Sequence, residues 1–228
     1  EERDEAAEQL EQLADAGDAY AQYIIGTAYR DGGLLIPDTA KAQKFLECAA
    51  KQEIDAAQYA LGKLYLSDEA DVHDSAKGIY WLKRSADSGN DYAAYRLGKE
   101  YLTGEVLTKD TSKAVDWFTQ SAEADNQYAQ YMLGKLYLMG QGVQQDQVQA
   151  MNWFSRSAAQ GNQYAQFFLE RQNDLRPPSV MLAVTRLLYH MSRSFEDCSL
   201  PRSSTGLRID RKRRQKLQAR RIALGHKP

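Results

Sequence analysis

Residues 129–158 read AQYMLGKLYLMGQGVQQDQVQAMNWFSRSA, and the same pattern returns three times upstream at intervals of 36 residues. A glycine marks this spacing at Gly26, Gly62, Gly98 and Gly134, and the next step falls on Glu170. An aromatic position keeps the same interval in Phe45, Trp81, Trp117 and Trp153. A fixed period of about 20 to 50 residues is typical of a solenoid, in which each repeat packs only against its neighbours.

Each period predicts two helices. Counted from a recurring alanine, the apolar residues of the first helix fall at offsets 0, 4, 7 and 8, as in Ala57, Leu61, Leu64 and Tyr65. The second helix has them at offsets 0, 3, 4, 7 and 8, as in Ala150, Trp153, Phe154, Ser157 and Ala158. Each set forms one stripe along a helix and is typical of core packing. The fold class is therefore all-α, an α-solenoid of antiparallel helix pairs.

The period divides the chain into four segments. We assign residues 1–175 to the repeat solenoid, 176–195 to a capping helix, 196–209 to a linker and 210–228 to a basic helical tail. Because residues 2–16 match the second helix of a period whose first helix is missing, we expect the chain to begin partway through a longer protein. The last repeat ends before Pro177 and Pro178, since the residue preceding a proline disfavours the helical conformation.

Charge is distributed unevenly along the chain. The formal net charge of −2 combines −12 in residues 1–175 with +10 in residues 176–228. A basic tail on an acidic body indicates that the tail binds nucleic acid, an acidic lipid or the body itself. Cys48 and Cys198 are too few for a disulfide framework or a zinc site, so we expect reduced thiols and a cytoplasmic location. No apolar run reaches the ~18 residues of a membrane-spanning helix.

Catalytic and metal-binding patterns are not found in this sequence. His73, His190 and His226 have no carboxylate or thiol at ligand spacing, and no glycine-rich phosphate loop follows a strand. We therefore predict a protein that is not an enzyme, has no catalytic residue, no metal site and no cofactor. Any catalytic domain would lie upstream of these residues.

The repeat pattern resembles the Sel1-like repeat family, relatives of the tetratricopeptide repeats. The likeness is carried by Ala129-Gln130-Tyr131, Leu133-Gly134, Leu136-Tyr137, Gly140-Gln141-Gly142-Val143, Ala150, Trp153-Phe154, Ala158 and Gly161-Asn162. It covers roughly residues 1–175. The resemblance implies a right-handed superhelix whose first helices line a concave face, and a role as an adaptor in protein complexes.

The residues of the first helices outside the core stripe suggest a binding groove. Offsets −1, +2, +6 and +9 point away from that stripe and hold many aromatic and cationic residues. The predicted groove residues are Tyr23, Tyr59, Lys63, Tyr95, Lys99, Tyr131, Lys135 and Arg171. One interpretation is a concave site for an extended acidic or aromatic peptide of a protein partner. The alternative is that the tyrosines pack between neighbouring first helices while the lysines solvate the rim.

The tail carries a second candidate interface. Residues 178–195 form an apolar stripe that suits a capping helix, and the basic helix follows the linker. Its predicted nucleic-acid-binding residues are Arg211, Lys212, Arg213, Arg214, Lys216, Arg220 and Arg221. Such a charge run binds phosphate backbones with little sequence preference. Docking on the acidic array, binding to an anionic membrane surface, or no role at all are the alternatives.

The two segments after the array also resemble the carboxy-terminal region of mobilisation relaxases encoded by Firmicutes plasmids and integrative elements. In that family a nicking domain precedes Sel1-like repeats, and no position here matches its histidine cluster or its nucleophilic tyrosine. The resemblance implies an accessory region that supplies protein contacts and holds DNA. The alternative function is a regulatory adaptor that binds a peptide and has no connection with DNA.

Overall fold

A computed structural model of the chain describes residues 2–32, 35–67 and 72–170. These residues form ten α-helices and no strand: α1 (Glu2–Asp15), α2 (Ala19–Asp31), α3 (Thr39–Lys51), α4 (Asp55–Tyr65), α5 (Ser75–Asp87), α6 (Asp91–Thr103), α7 (Thr111–Glu123), α8 (Gln127–Met139), α9 (Gln147–Ala159) and α10 (Gln163–Glu170). The all-α prediction is confirmed. The predicted capping helix, linker and basic helical tail lie outside the described residues, as does Arg171.

The helices alternate between two kinds, which we call first helices (α2, α4, α6, α8 and α10) and second helices (α1, α3, α5, α7 and α9). Each first helix packs against the second helix that follows it, and each second helix packs against the next first helix. Contacts thus run between neighbours along the chain, as a solenoid requires. The predicted second helix over residues 2–16 is present as α1.

Side-chain caps recur with the period and fix where the second helices begin. Asp38, Asp74, Asp110 and Asp146 each accept a hydrogen bond from a backbone N–H in the first turn of the following helix. An aspartate in this position satisfies an otherwise unpaired donor. The second residue after the end of each second helix has a left-handed backbone, and it is a glycine except at Glu53 and Asp125.

The recurring glycines allow a close approach between the two helices of a pair. A Cβ atom built on Gly134 would lie 2.6 Å from the Phe154 ring, and one on Gly98 would lie 2.8 Å from the Phe118 ring. The fully buried centre of each pair is thus formed by Leu46, Leu82, Phe118 and Phe154. The preceding aromatic position is less central than the sequence predicts. Phe45 is buried, whereas Trp81, Trp117 and Trp153 are only partly buried at the edge of the core.

Buried hydroxyl groups connect the two helices of a repeat. Ser85 Oγ donates to the carbonyl oxygen of Asp55 at 2.8 Å, and Ser121 and Ser157 make the same bond to Asp91 and Gln127 at 2.7 Å. Each bond joins a second helix to the start of the first helix before it. The small residues that recur at this offset therefore allow both close packing and a specific polar contact.

Candidate functional site

Pairs of tyrosine rings join neighbouring first helices. Ring centroids are 6.3 Å apart for Tyr59 and Tyr92, 6.1 Å for Tyr95 and Tyr128, and 6.0 Å for Tyr131 and Tyr164. In each pair the second residue lies 33 positions after the first. A residue of one first helix therefore lies beside the residue 33 positions later, which belongs to the next first helix. The surface formed by offsets −1, +2, +3, +6 and +9 of these helices is named the first-helix face below.

The two tyrosine columns of this face differ in exposure. Tyr23, Tyr59 and Tyr95 are half-buried and Tyr131 is buried, so the predicted groove tyrosines are wedged between helices. Tyr92 and Tyr128, at offset −1, are 50% and 48% exposed. The predicted tyrosines are therefore less exposed than Tyr92 and Tyr128 of the adjacent column, and whether they bind a partner stays a prediction. Ala56 interrupts that column on α4.

The lysines at offset +6 also differ from one repeat to the next. Lys63 is exposed, Lys99 is half-buried and Lys135 is buried. The ammonium groups of Lys63 and Lys135 each lie 5.5 Å from the ring of the tyrosine four residues earlier, Tyr59 and Tyr131. Cation–π contacts of this kind stabilise a lysine beside an aromatic surface.

Burial dominates the electrostatics at the fourth repeat. It lowers the pKa of Lys135 to about 8 and raises the pKa of the Tyr131 hydroxyl. The prediction that offset +9 points away from the core is wrong at the ends of α4 and α8. Leu66 and Leu138 are buried there, and the Leu66 side chain lies close to Gly78 of the second helix α5.

Two arginines that were not predicted from the sequence complete the site. Arg30, at the end of α2, is paired with Asp31, and its Nη1 lies 3.5 Å from the carbonyl oxygen of Ala60 on α4. Arg96 of α6 pairs with Glu100 at 2.9 Å, and the Glu100 side chain is only 3% exposed. The signal that could have revealed Arg96 is Glu100 itself, a charged residue at core offset 7.

Arg30, Lys63 and Arg96 lie 33 residues apart on three successive first helices, and we call this set the cationic diagonal. Partial burial lowers the pKa of Lys63, and the nearby charges of Arg30 and Arg96 lower it further, while Asp31 acts in the opposite direction. The same two arginines favour ionisation of Tyr59, against the larger effect of its burial, which raises its pKa. The hydrogen bond from Arg30 lowers the pKa of Asp31.

Two repeats further along the chain, the corresponding positions hold Leu102, Lys135 and Phe168. We call this set the apolar diagonal. Phe168 is fully buried and Leu102 is partly buried. Lys135 thus lies between two apolar neighbours, whereas Lys63 lies between two arginines. The first-helix face changes from cationic to apolar between the second and the fourth repeat.

Other chemistry is sparse in the part of the chain that the structure describes. Among residues 2–32, 35–67 and 72–170, no three His, Cys, Asp or Glu side chains are grouped so that they could hold a metal ion. The same ranges contain no helix with the length and apolar character of a membrane span. Cys48 is a free thiol and is partly exposed.

Comparison with family models decides the classification. The model of the Sel1 repeat matches residues 19–53, 55–90, 91–126 and 127–162. This chain belongs to the Sel1 repeat family. The four matched Sel1 repeats coincide with the helix pairs α2–α3, α4–α5, α6–α7 and α8–α9, so the family's repeat unit is one first helix followed by one second helix.

Two solved structures resemble these Sel1 repeats in sequence and fold. A protective antigen of uropathogenic Escherichia coli with an SLR fold is 34% identical, with a TM-score of 0.66, over 70% of this chain and 34% of its own. A Sel1 repeat protein from Oxalobacter formigenes is 30% identical, with a TM-score of 0.66, over 72% of this chain and 66% of its own. The chain therefore spans less than two thirds of the length of either protein.

A third structure shares the fold alone. An immunity protein from Pseudomonas aeruginosa is 22% identical, with a TM-score of 0.51, over 77% of this chain and 66% of its own. No curated protein matches the sequence significantly.

Proposed function

We propose that this Sel1 repeat protein is a non-enzymatic interaction scaffold that binds an extended peptide segment of a protein partner on its first-helix face. Sel1 repeats mediate contacts between proteins, which supports a scaffold as the general class of function. The observation that carries the proposal is the row of paired tyrosines beside cations on successive first helices.

Tyrosine is well suited to this role. Its ring buries a large area on binding and loses little conformational entropy, and it is enriched among the residues that dominate binding energy. Tyr92 and Tyr128 are about half exposed, and each is already held on one side by the ring of Tyr59 or Tyr95. A partner would therefore meet rings that are oriented in advance, which lowers the entropic cost of binding.

Peptide selection tests the proposal. A random peptide library displayed on phage is selected against the full chain, and the selected peptides are measured against Tyr92→Ser, Tyr128→Ser and the control Tyr80→Ser. Tyr80 is 52% exposed but lies on the second helix α5, so it matches the other two in exposure. We expect binding to weaken by more than about tenfold in either first-helix variant and to be unchanged in the control. Peptides that bind all four proteins equally would contradict the proposal.

A second candidate function is that of the accessory carboxy-terminal region of a DNA-mobilisation protein of the relaxase type. Its support is the charge of the tail, with seven cations between Arg211 and Arg221. In this function the array would contact proteins of the transfer complex and the tail would bind DNA. We also propose a cytoplasmic location, which two widely separated cysteines favour.

Titration of labelled DNA tests this second function. Replacing Arg211, Lys212, Arg213 and Arg214 with glutamine should remove binding of single- or double-stranded DNA, and the wild-type affinity should fall steeply as salt rises. The matched control replaces four lysines of the array, Lys44, Lys51, Lys83 and Lys113. DNA binding that survives the tail substitutions, or is absent from the wild type, would count against this function.

A further inference from the structure

We infer that the segment recognised on the first-helix face is acidic, and that its carboxylates bind the cationic diagonal of Arg30, Lys63 and Arg96. The inference rests on the proposed scaffold function and names the chemistry of the partner. It also gives the face a direction, because the acidic part of the segment would lie over α2, α4 and α6 rather than over α8 and α10.

The geometry of the tyrosine pairs places the three cations side by side. Residues 33 positions apart on successive first helices are neighbours, as the rings of Tyr59 and Tyr92 show at 6.3 Å. Arg30, Lys63 and Arg96 follow the same spacing, and both arginines act on the charge of Lys63. Three repeats therefore each contribute one cation to a single patch around Tyr59.

The ion pair between Arg96 and Glu100 is not explained by stability. Offsets 3 and 7 of the other first helices hold uncharged residues, such as Met132 and Leu136 on α8. An apolar pair of similar volume usually stabilises a protein as well as a buried ion pair, or better. What the pair does achieve is to hold the Arg96 guanidinium at the face, where its side chain remains 34% exposed.

Only part of the Arg96 guanidinium is accessible to a ligand. Within the described part of the chain, Arg96 Nε and Glu100 Oε2 are buried and have no hydrogen-bond partner, so a ligand would bind the exposed part of the Arg96 side chain. A ligand carboxylate is suited to an arginine because the two planar groups can form parallel charge-assisted hydrogen bonds.

The charges that act on Lys63 are mostly positive. Arg30 and Arg96 lower its pKa and Asp31 raises it, while Asp91, a further carboxylate near Tyr59, accepts a hydrogen bond from Asn126. The lowered pKa of Lys63 reflects this crowding, together with partial burial. A bound carboxylate would relieve the repulsion, since an opposite charge nearby favours the protonated lysine.

The rest of the array is acidic, which favours a short acidic segment over a nucleic acid. Residues 1–175 carry a net charge of −12, so a long polyphosphate chain would be repelled beyond the patch. A peptide with a few carboxylates needs only the patch itself. The neighbouring rings of Tyr59 and Tyr92 supply apolar contact for the remainder of such a peptide.

The test uses the full chain and a fluorescent peptide in which a run of glutamates is flanked by leucine and tyrosine. A twin peptide has every glutamate replaced with glutamine. The main variant is the double substitution Arg96→Met with Glu100→Leu, which installs the residue types of Met132 and Leu136 and so avoids a buried unpaired charge. Lys63→Gln is the second variant. Lys83→Gln, an exposed lysine of the second helix α5, is the control.

We expect the glutamate peptide to bind the wild type and to bind the double variant about tenfold more weakly, as for the loss of one charge-assisted hydrogen bond. Lys63→Gln should weaken binding about threefold, because an exposed charge contributes less. The control should be unchanged and the glutamine twin should bind weakly throughout. The basic tail is present in every variant, so differences between variants report on the array alone.

A site-specific signal completes the test. The Nε–H resonance of Arg96 in an arginine side-chain NMR spectrum should shift when the glutamate peptide is added and not when the twin is added. Equal binding of the glutamate peptide to the wild type and the double variant would overturn the inference, as would the absence of binding to the wild type. DNA binding that depends on Arg96 would overturn it in favour of a nucleic-acid site.

The outcome is separable from that of the proposed function. If library-selected peptides require Tyr92 and Tyr128 but are neutral and tolerate the double variant, the inference fails and the scaffold function stands. If the glutamate peptide requires Arg96 but tolerates loss of both tyrosines, the anion site stands and the tyrosine-based function fails.

Discussion

Lys63 and Lys135 occupy the same position of the repeat and lie at the same distance, 5.5 Å, from the ring of the tyrosine four residues earlier. Their surroundings are nevertheless opposite. Lys63 is exposed and lies between Arg30 and Arg96, whereas Lys135 is 9% exposed and lies between Leu102 and Phe168. The cationic diagonal and the apolar diagonal thus share one backbone geometry.

The difference shows that the repeat determines where a side chain lies and that residues 33 positions away determine what it does. Burial is the first cause of the lowered pKa of both lysines. The charges of Arg30 and Arg96 lower the pKa of Lys63 further. The pKa of Lys135 is lowered to about 8 by burial alone. Helix positions that match between repeats therefore need not share a role.

The largest effect is expected from breaking the cationic diagonal at Arg96. Arg96→Met alone should reduce the free energy of unfolding by about 3 kcal/mol, because it leaves the buried Glu100 carboxylate without its partner. Adding Glu100→Leu should restore stability to the wild-type level or above. Urea unfolding of the three proteins measures this. A single variant as stable as the wild type would show that Glu100 does not depend on Arg96.

A smaller effect of opposite sign is expected on the apolar diagonal. Lowering the pKa of Lys135 from 10.5 to about 8 corresponds to a cost of roughly 3 kcal/mol for holding the charge in the folded state. Replacing Lys135 also removes its contact with the Tyr131 ring, which stabilises the folded state by about 1 kcal/mol and so reduces the expected gain. Lys135→Met should therefore raise the free energy of unfolding by about 2 kcal/mol near neutral pH.

The pH dependence checks the cause. The unfolded state binds the proton of Lys135 more tightly than the folded state, so this group makes the wild type more stable as pH rises from about 8 to about 10.5. The advantage of Lys135→Met should shrink over the same range, which urea unfolding near pH 7 and near pH 9.5 can measure. An advantage that does not change with pH would assign the effect to packing rather than to charge.

The smallest effect is expected from Lys63→Met, the same substitution at the matching position of the second repeat. Because Lys63 is exposed, the free energy of unfolding should change by less than about 0.5 kcal/mol. The measurement is the same urea unfolding, with Lys135→Met as the reference. Equal shifts in the two variants would mean that the diagonals do not differ in their environment.

Much of the fold could be predicted from the sequence, because each helix presents its apolar stripe within a short window. Helices α1 to α9 follow the predicted stripes and glycines, and α1 is the expected unpaired second helix. The centre of the core was harder to predict. Phe118 and Phe154 are fully buried rather than Trp117 and Trp153, because the close approach at the recurring glycine admits the residue after the tryptophan.

The candidate site was predicted only in part. The tyrosine and lysine columns were found because they repeat every 36 residues, and whether they bind a partner stays a prediction. Arg30 and Arg96 were missed because the relation between them spans three helices at a spacing of 33. That spacing depends on how neighbouring first helices are displaced along their axes, which a helix considered alone does not show.

The difference between the 36-residue period and the 33-residue neighbour relation has a consequence for evolution. Removal of one whole unit, residues 55–90, would preserve the stacking of the remaining units, since each contacts only its neighbours. After this removal Arg30 would lie beside Lys99, and Lys99 beside Met132. These two residues would take the places that Lys63 and Arg96 have now. Gain or loss of a single unit can thus create a new combination of side chains on this surface in one genetic event, without any substitution in the units that remain.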